Sequence, residues 1–390
     1  MGFLLGFAAE LALLGALAAI QWWIIRAAIS FTESRLPVRW ARTARVLLFG
    51  AGAVLLFGLI LSLPNTHGLP MNAHLAGWIR GAALLWAFTS APGWLVYRLL
   101  RPTLRRAASA APGRRALLRT LAGAAAVAPI ALIGFGALVE RTAFRVREID
   151  IPVPDLHPDL EGLRLVQLSD IHLSPFLSEE EFARVVDAAN ELRPHLVLVT
   201  GDLISVRGDP LDACLRQLSR LRADAGVLGC LGNHEIYSGT ERYTTEQGAR
   251  LGVPFLRHQA RPLRFGNALL NVAGVDYQRM NWSPHYLEGA GRLIVPGALN
   301  VLLQHNPDVF PTAARQGWDL TLAGHTHGGQ VNIEILGRNL NVARFYTPYV
   351  YGLYRSGRSS IYVTRGIGTI GMPARLGAPP EIAALRLRKV

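Results

Sequence analysis

The sequence predicts an α/β domain of two packed β-sheets flanked by helices, preceded by an all-α region of four transmembrane helices. Three observations predict it. Apolar runs of membrane-crossing length fill the first third of the chain. Beyond them, short apolar strands alternate with helices, the pattern of a parallel sheet covered on its faces. The later strands are separated mainly by turns, so a second, more mixed sheet packs on the first.

The first observation starts from composition. Of 390 residues, 51% are hydrophobic and only 17% charged, too apolar for a wholly soluble protein. The runs lie at about Phe3–Ile25, Val46–Leu63, Ala76–Leu100 and Leu117–Val139. Each reaches or nearly reaches the ~20 residues that cross ~30 Å of hydrocarbon, and none has the amphipathic periodicity of a soluble helix. The first has no basic residue ahead of it and is too long for a signal-peptide core, so it is expected to remain in the chain. Trp22, Trp23, Trp78 and Trp94 lie near span ends, where they suit the membrane interface or a helix contact. Glu10 is the one acid at membrane depth. It reads as a protonated side chain bonded to a neighbouring helix, with a functional carboxylate as the alternative.

Charge orients these spans. The net charge of +13 would suggest a nucleic-acid binder, but it is not spread over the chain. Residues 1–139 hold 13 Arg and no Lys against Glu10 and Glu33, whereas residues 140–390 hold 27 basic and 25 acidic side chains. The globular part lacks the basic footprint that nucleic-acid binding needs, and no nucleic-acid partner is expected. Arg26, Arg35, Arg39, Arg42 and Arg45 lie between spans one and two; Arg98, Arg101, Arg105, Arg106, Arg114, Arg115 and Arg119 lie between three and four. The Pro64–His74 connection has no arginine. The positive-inside rule then places both arginine-rich connections in the cytoplasm and everything after Val139 outside it. The expectation is a multi-pass inner or plasma-membrane protein with a periplasmic domain. Its divisions are 1–139 for the transmembrane region, 140–160 for a linker marked by Pro152, Pro154 and Pro158, and 161–390 for the globular domain.

The globular elements follow in order. Leu163–Leu168 reads as a buried strand, and Ser178 with Glu181 as a capping box opening a helix that ends near Leu192. Leu196–Thr200 is a second strand, Leu211–Leu221 a second helix and Val227–Leu231 a third strand. Later strands fall at Leu269–Val275, Val301–Gln304, Leu320–Ala323, Ser360–Thr364 and Ile382–Leu387, with one short helix after Asp308. Cys214 and Cys230 sit in no metal or redox spacing. They read as plain buried residues, with a disulfide as the alternative in an oxidising compartment.

In such sheets ligands gather at the carboxyl ends of strands. Asp170, Asp202, Asn233, His305 and His325 all stand at or just past a predicted strand end. With His172 and His327 they form a donor set of imidazole, carboxylate and amide without thiolate. That is too many for one tetrahedral zinc and suits two divalent ions, Mn, Fe, Zn, Co or Ni. Two metals ~3.5–4 Å apart lower the pKa of a water and hold the attacking and leaving oxygens of a phosphoryl group. A carboxylate shared between them is required, and Asp202 is the natural candidate.

The series Asp170-x-His172, Gly201-Asp202, Gly232-Asn233-His234-Glu235, His305 and Gly324-His325-x-His327 resembles the calcineurin-like metallophosphoesterase signature, over about Leu163 to Leu387. The stretches Leu168–His172, Gly324–Gln330 and Thr364–Thr369 leading to Pro379-Pro380-Glu381 resemble that superfamily's membrane-associated bacterial phosphodiesterases. The resemblance implies an α/β/β/α sandwich and a dinuclear metal centre. One ion would lie on Asp170, His172, Asp202 and His327, the other on Asp202, Asn233, His305 and His325. His234 would contact the phosphate and protonate the leaving alkoxide, work for which imidazole has a suitable pKa.

The function read from all this is a membrane-anchored phosphodiesterase or pyrophosphatase acting on an envelope lipid or another phosphodiester at the outer face. Two alternatives remain: a non-catalytic receptor or scaffold of phosphoesterase shape, and a cytoplasm-facing nucleotide-lipid pyrophosphate hydrolase if the topology is inverted. Arg365 and Arg375 flank a glycine-rich turn and are candidates for phosphate contacts or ordinary surface charges. Phe345, Tyr346, Tyr349, Tyr351 and Tyr354, beside Arg344 and Arg355, suit either a headgroup interface or a loop packed on the second sheet.

Overall fold

Long helices come first: α1 (Gly2–Arg35), α2 (Val38–Ile60), α3 (Ala73–Arg106) and α4 (Pro112–Leu138). The structure, a computed structural model, describes residues 2–62, 72–106, 112–279, 285–335 and 338–390. By length and composition α1, α2 and α4 can cross a membrane. Of the four expected spans, the third, Ala76–Leu100, is not among them. α3 is as long as α1, but Thr89, Ser90 and Pro92 dilute its apolar run, and Arg80 and Arg98 bound it. Ala83, Ala87 and Ala91 of α3 nevertheless pack with Leu17 of α1 and Leu59 of α2. Gln21 Nε2 donates to Ser90 Oγ (2.9 Å) and Trp86 Nε1 donates to Gln21 Oε1 (2.8 Å). Small residues and buried polar pairs of this kind join helices where no hydrophobic effect can. The middle of the Pro64–His74 connection and the Glu10 side chain, on which sequence readings were placed, lie outside the described residues.

Contacts divide the chain into two compact units, Met1–Ala137 with Gly371–Ala374, and Leu138–Ile370 with Arg375–Val390. The second unit runs through β1 (Arg145–Val153), β2 (Arg164–Leu168), α5 (Glu179–Glu191), β3 (Leu196–Thr200), α6 (Leu211–Leu218) and β4 (Val227–Cys230). It continues with α7 (Asn233–Ser238), α8 (Glu241–Arg250), β5 (Gln259–Phe265), β6 (Ala268–Gly274), β7 (Leu299–Leu303), α9 (Phe310–Gln316) and β8 (Leu320–Ala323). A hairpin of β9 (Asn332–Ile335) and β10 (Arg338–Asn341) precedes β11 (Gly352–Ser356), β12 (Ser359–Val363) and β13 (Glu381–Lys389).

The strands form one sheet of order β1-β13-β2-β3-β4 and another of order β11-β12-β8-β7-β6-β5. β2, β3 and β4 are parallel, as are β6, β7, β8 and β12. Alternation along β3 shows how the layers assemble. Val197 and Val199 join Phe182, Val185 and Cys214 in a core under α5 and α6, while Leu196 and Leu198 meet Leu270, Val272 and Val301 of the other sheet. A third core places Val309, Ala313 and Trp318 on the outer face of the second sheet. The result is the expected α/β/β/α sandwich. α5 starts where the capping box predicts, with Glu181 N donating to Ser178 Oγ (3.2 Å) and Ser178 N donating to Glu181 Oε2 (2.8 Å).

Sequence reading missed strands at the sheet edges. Residues 145–153, read as part of a linker, are β1, which pairs with β13 alone and accommodates Pro152 because an edge strand needs no hydrogen bond on its outer side. β5, with Pro262, occupies the edge of the second sheet for the same reason. Cys214 and Cys230 are free and buried, one in the core under the helices and the other between the sheets.

Candidate metal centre

The donors predicted from strand ends converge. Asp170 and His172 follow β2, Asp202 follows β3, Asn233 opens α7 after β4, His305 follows β7, and His325 and His327 follow β8. Asp170, His172, Asp202, His325 and His327 all have positive φ, between 47° and 74°. Non-glycine residues avoid that region unless surrounding structure imposes it, and such strain concentrates at functional sites. Two glycines let the turns close on the carboxylates. A Cβ at Gly232 would lie 2.1 Å from Asp202 Oδ1, and one at Gly324 would lie 2.2 Å from Asp170 Oδ2.

Three overlapping donor groups result, Asp170–His172–His327, His172–Asp202–His234 and Asp202–His305–His325, with ligand atoms within 4.8 Å of one another in each. Asp202 joins them. Its Oδ2 lies 3.5 Å from His172 Nε2 and 3.0 Å from His305 Nε2, while Asp170 Oδ1 lies 3.3 Å from His327 Nε2. Among the described residues, Asp170 Oδ2, His172 Nε2, Asn233 Oδ1 and His305 Nε2 are buried without a hydrogen-bond partner. Leaving such groups unpaired costs roughly 1–3 kcal/mol each, so a convergent set calls for a cation. These residues fit a metal.

The other ring nitrogens are already committed. His305 Nδ1 bonds the Thr200 carbonyl at 2.6 Å, and His172 Nδ1 meets Ser205 Oγ at 3.1 Å. His234 Nδ1 bonds the Ser205 carbonyl at 2.5 Å, so its chemistry falls to Nε2. Electrostatics agree with the donor reading. Burial alone would raise Asp202, but the charges of His305 and His234 and the close approach of the His172 and His305 rings hold its carboxyl well below the usual range. Burial works against charge on His305, yet Asp202 and Asp170 push its imidazole up to about 10. A positive charge is favoured there even though His305 itself is fully buried. Burial, followed by the charge of His305, takes His325 down to about 3. Burial, His172 and Arg375 hold His327 well below its usual value. His325 and His327, neutral beside an ionised carboxylate, keep their lone pairs for a cation, whereas a metal held by His305 would have to displace the proton that Asp202 and Asp170 favour there.

The family model for calcineurin-like phosphoesterases matches residues 163–329. The chain is 30% identical over 283 residues to the uncharacterized metallophosphoesterase YkuE of Bacillus subtilis, covering 70% of this chain and 97% of that one. Over 232 residues it is 30% identical to phosphodiesterase YaeI of Escherichia coli, covering 57% of this chain and 82% of that one. This chain belongs to the calcineurin-like phosphoesterases. It is also 31% identical over 263 residues to a zebrafish transmembrane protein with metallophosphoesterase domain, but the match spans only 57% of that relative's length. Membership gives the chain a metal-dependent phosphoesterase domain, and α1, α2 and α4 are apolar and long enough to cross a membrane.

Several features of this phosphoesterase site were not foreseen. Glu235 is fully buried and accepts from Gly232 N (2.8 Å), Asp202 N (3.0 Å) and Leu203 N (2.8 Å), clamping the Asp202 turn to the start of α7. Its one sequence signal was an acid directly after the Asn-His pair in an apolar stretch. Ser205 orients two histidines, through its hydroxyl and its carbonyl, and nothing in the sequence distinguishes it.

Neither Arg365 nor Arg375 is an ordinary surface charge. Arg375 is fully buried and donates to the carbonyls of Gly368 (3.0 Å, from Nε) and Ala378 (2.9 Å, from Nη1). Arg365 is held by Glu381 at 3.3 Å and lies 4.2 Å over the Tyr351 ring. Both guanidinium groups have partners within the loop, while Arg365 Nε is buried without a hydrogen-bond partner. The aromatic loop divides: Tyr349 and Tyr354 pack inward at 90° to one another, whereas Phe345 and Tyr346 are exposed.

Proposed function

We propose that the protein is a membrane-anchored dinuclear phosphodiesterase or pyrophosphatase whose substrate is an envelope lipid or another phosphodiester at the outer face of the membrane. The observation that carries the dinuclear part is the position of Asp202 Oδ2 between His172 and His305. One ion is assigned to Asp170, His172, Asp202 and His327, the other to Asp202, Asn233, His305 and His325. When bound, the ions supply Lewis-acid activation of water and neutralise charge on the phosphoryl oxygens. The chain's own residues do the rest. Ser205 and Thr200 fix imidazole orientation, and Glu235 sets the Asp202 turn. His234, anchored through Nδ1, presents Nε2 to the leaving oxygen and delivers its proton. Burial pushes His234 down to about 4 against the pull of Asp202, so a phosphate anion beside the ring is what favours its charged form.

The outward orientation rests on the arginines. With α3 crossing the bilayer, both arginine-rich connections fall on the cytoplasmic side; without it, one would fall outside, against the positive-inside rule. The substrate reading rests on connectivity. Only Val139–Phe144 separate α4 from β1, too short a stretch to carry the domain far from the bilayer. A reporter active only outside the cytoplasm is expected to be active when fused after Val390 and silent when fused near Ser109. The opposite pattern overturns the orientation and favours a nucleotide-lipid pyrophosphate in the cytoplasm. Metal analysis of the purified protein, together with activity against a panel of envelope lipids, tests the remainder.

A further inference from the structure

The rim of the metal centre carries an apolar segment held out in solvent. Asn341, at the end of β10, is 2% exposed; its Nδ2 donates to the Gly328 carbonyl (2.8 Å), directly after His327, and its Oδ1 accepts from Ala343 N (3.0 Å). At the other end Thr347, 3% exposed, donates through Oγ1 to Asp308 Oδ1 (2.5 Å) and accepts from Tyr349 N (3.1 Å). Between and beside these buried pins, Leu340 and Val342 are each 56% exposed, Tyr346 69% and Phe345 81%. The neighbouring tyrosines show that exposure is not a property of the whole loop. Tyr349 packs edge-on against Phe310 and Tyr354.

We infer that Leu340, Val342, Phe345 and Tyr346 form an interfacial foot that inserts among lipid headgroups and keeps the metal centre at headgroup depth. Adjacent exposed apolar side chains fixed in place mark an interaction surface rather than scattered surface residues. The bilayer is the occupant for three reasons. The same chain carries membrane-crossing helices, and only Val139–Phe144 intervene before the domain begins. The segment Leu340–Val350 contains Arg344 and no acid, which suits anionic headgroups. Its aromatic and aliphatic side chains are those that partition into the interface. The Asn341 bond to Gly328 then couples foot and site mechanically. This deepens the reading of a bilayer-borne substrate and rests on it for its purpose, but insertion itself can be measured without any substrate.

The test uses the full-length protein in vesicles of phosphatidylethanolamine and phosphatidylglycerol. Cys214 and Cys230 are both 0% exposed, so a polarity-sensitive thiol probe reports a single introduced site. On Phe345→Cys the probe is expected to be quenched by nitroxide-labelled lipid and shielded from aqueous iodide. On Leu251→Cys, at the exposed end of α8, the reverse is expected. Equal access of iodide to both probes overturns the inference. The Phe345→Asp, Tyr346→Asp double variant is expected to raise the KM for lipid in vesicles roughly 10- to 100-fold, the scale set by withdrawing one large apolar side chain from a lipid phase; an unmoved KM counts against it. Insertion with no turnover of any lipid defeats the substrate reading and leaves this one standing. Lipid turnover by a protein whose probe stays in water defeats this one alone.

Discussion

Along α2, Val46, Leu47 and Val54 are exposed at 70%, 67% and 59%, whereas Leu196, Val197, Leu198 and Val199 of β3 are all at 0%. The same kinds of side chain are thus turned outward in one unit and inward in the other. In water the first arrangement would be an aggregation surface; in lipid it is the solvated state, and association falls to small residues and polar pairs such as Gln21–Ser90. The phosphoesterase unit inverts this economy of polar groups as well. It buries donors that have no partner, Asp170 Oδ2 and His305 Nε2 among them, at the point where its strands end. Apolar content therefore identifies the first unit, and misplaced polar content identifies the active part of the second.

If the comparison holds, substitutions in the metal centre abolish hydrolysis and removal of the helices barely touches it. The largest effect is expected for Asp202→Ala, because its carboxylate is shared by two of the donor groups. Turnover of an aryl phosphodiester should fall well beyond the roughly 10–100-fold typical of outer-shell changes, with metal content falling alongside. Retained turnover and metal would end the dinuclear assignment. His234→Ala should keep its metal and lose roughly 10²–10⁴ in rate, more for alkyl than for nitrophenyl esters, since only poor leaving groups need the proton. An equal loss for both ester classes removes the acid role.

Ser205→Ala comes next. It deletes the hydroxyl beside His172 Nδ1 but not the carbonyl that holds His234. A drop of about 10–100-fold in metal affinity, without a change in leaving-group dependence, is the expected result. The smallest effect concerns the helices. A chain lacking residues 1–137 should hydrolyse a small soluble diester nearly as fast as the intact protein and process lipid in vesicles far more slowly. Equal rates on lipid would give the helical unit some other purpose.

These expectations were largely readable in the sequence because the site is built from strand ends. A run such as Leu196–Thr200, buried on both faces, announces itself, and the polar residue that follows it is conspicuous. What escaped was set by context rather than pattern. β1 and β5 contain prolines that only an edge position permits, and edge status depends on which strands come to lie beside them. Ser205 acts through its position beneath two rings that arrive from different segments. Arg375 has the charge of a phosphate ligand, yet its carbonyl partners at Gly368 and Ala378 surround it only once the loop is folded. α3 shows the limit for the membrane unit: its length satisfies a span, while its composition, with Arg80, Thr89, Ser90 and Pro92, falls short.

The two thiols carry a consequence for quality control. Cys214 and Cys230 belong to different cores on either side of one sheet, and both are sealed from solvent. Burial also pushes both thiols well above their usual pKa, which suppresses the thiolate needed for exchange. The native domain can therefore face an oxidising compartment without a reductase to protect it. A Cys214–Cys230 cross-link, if found in membrane extracts, would be the signature of chains trapped before the sheet closed.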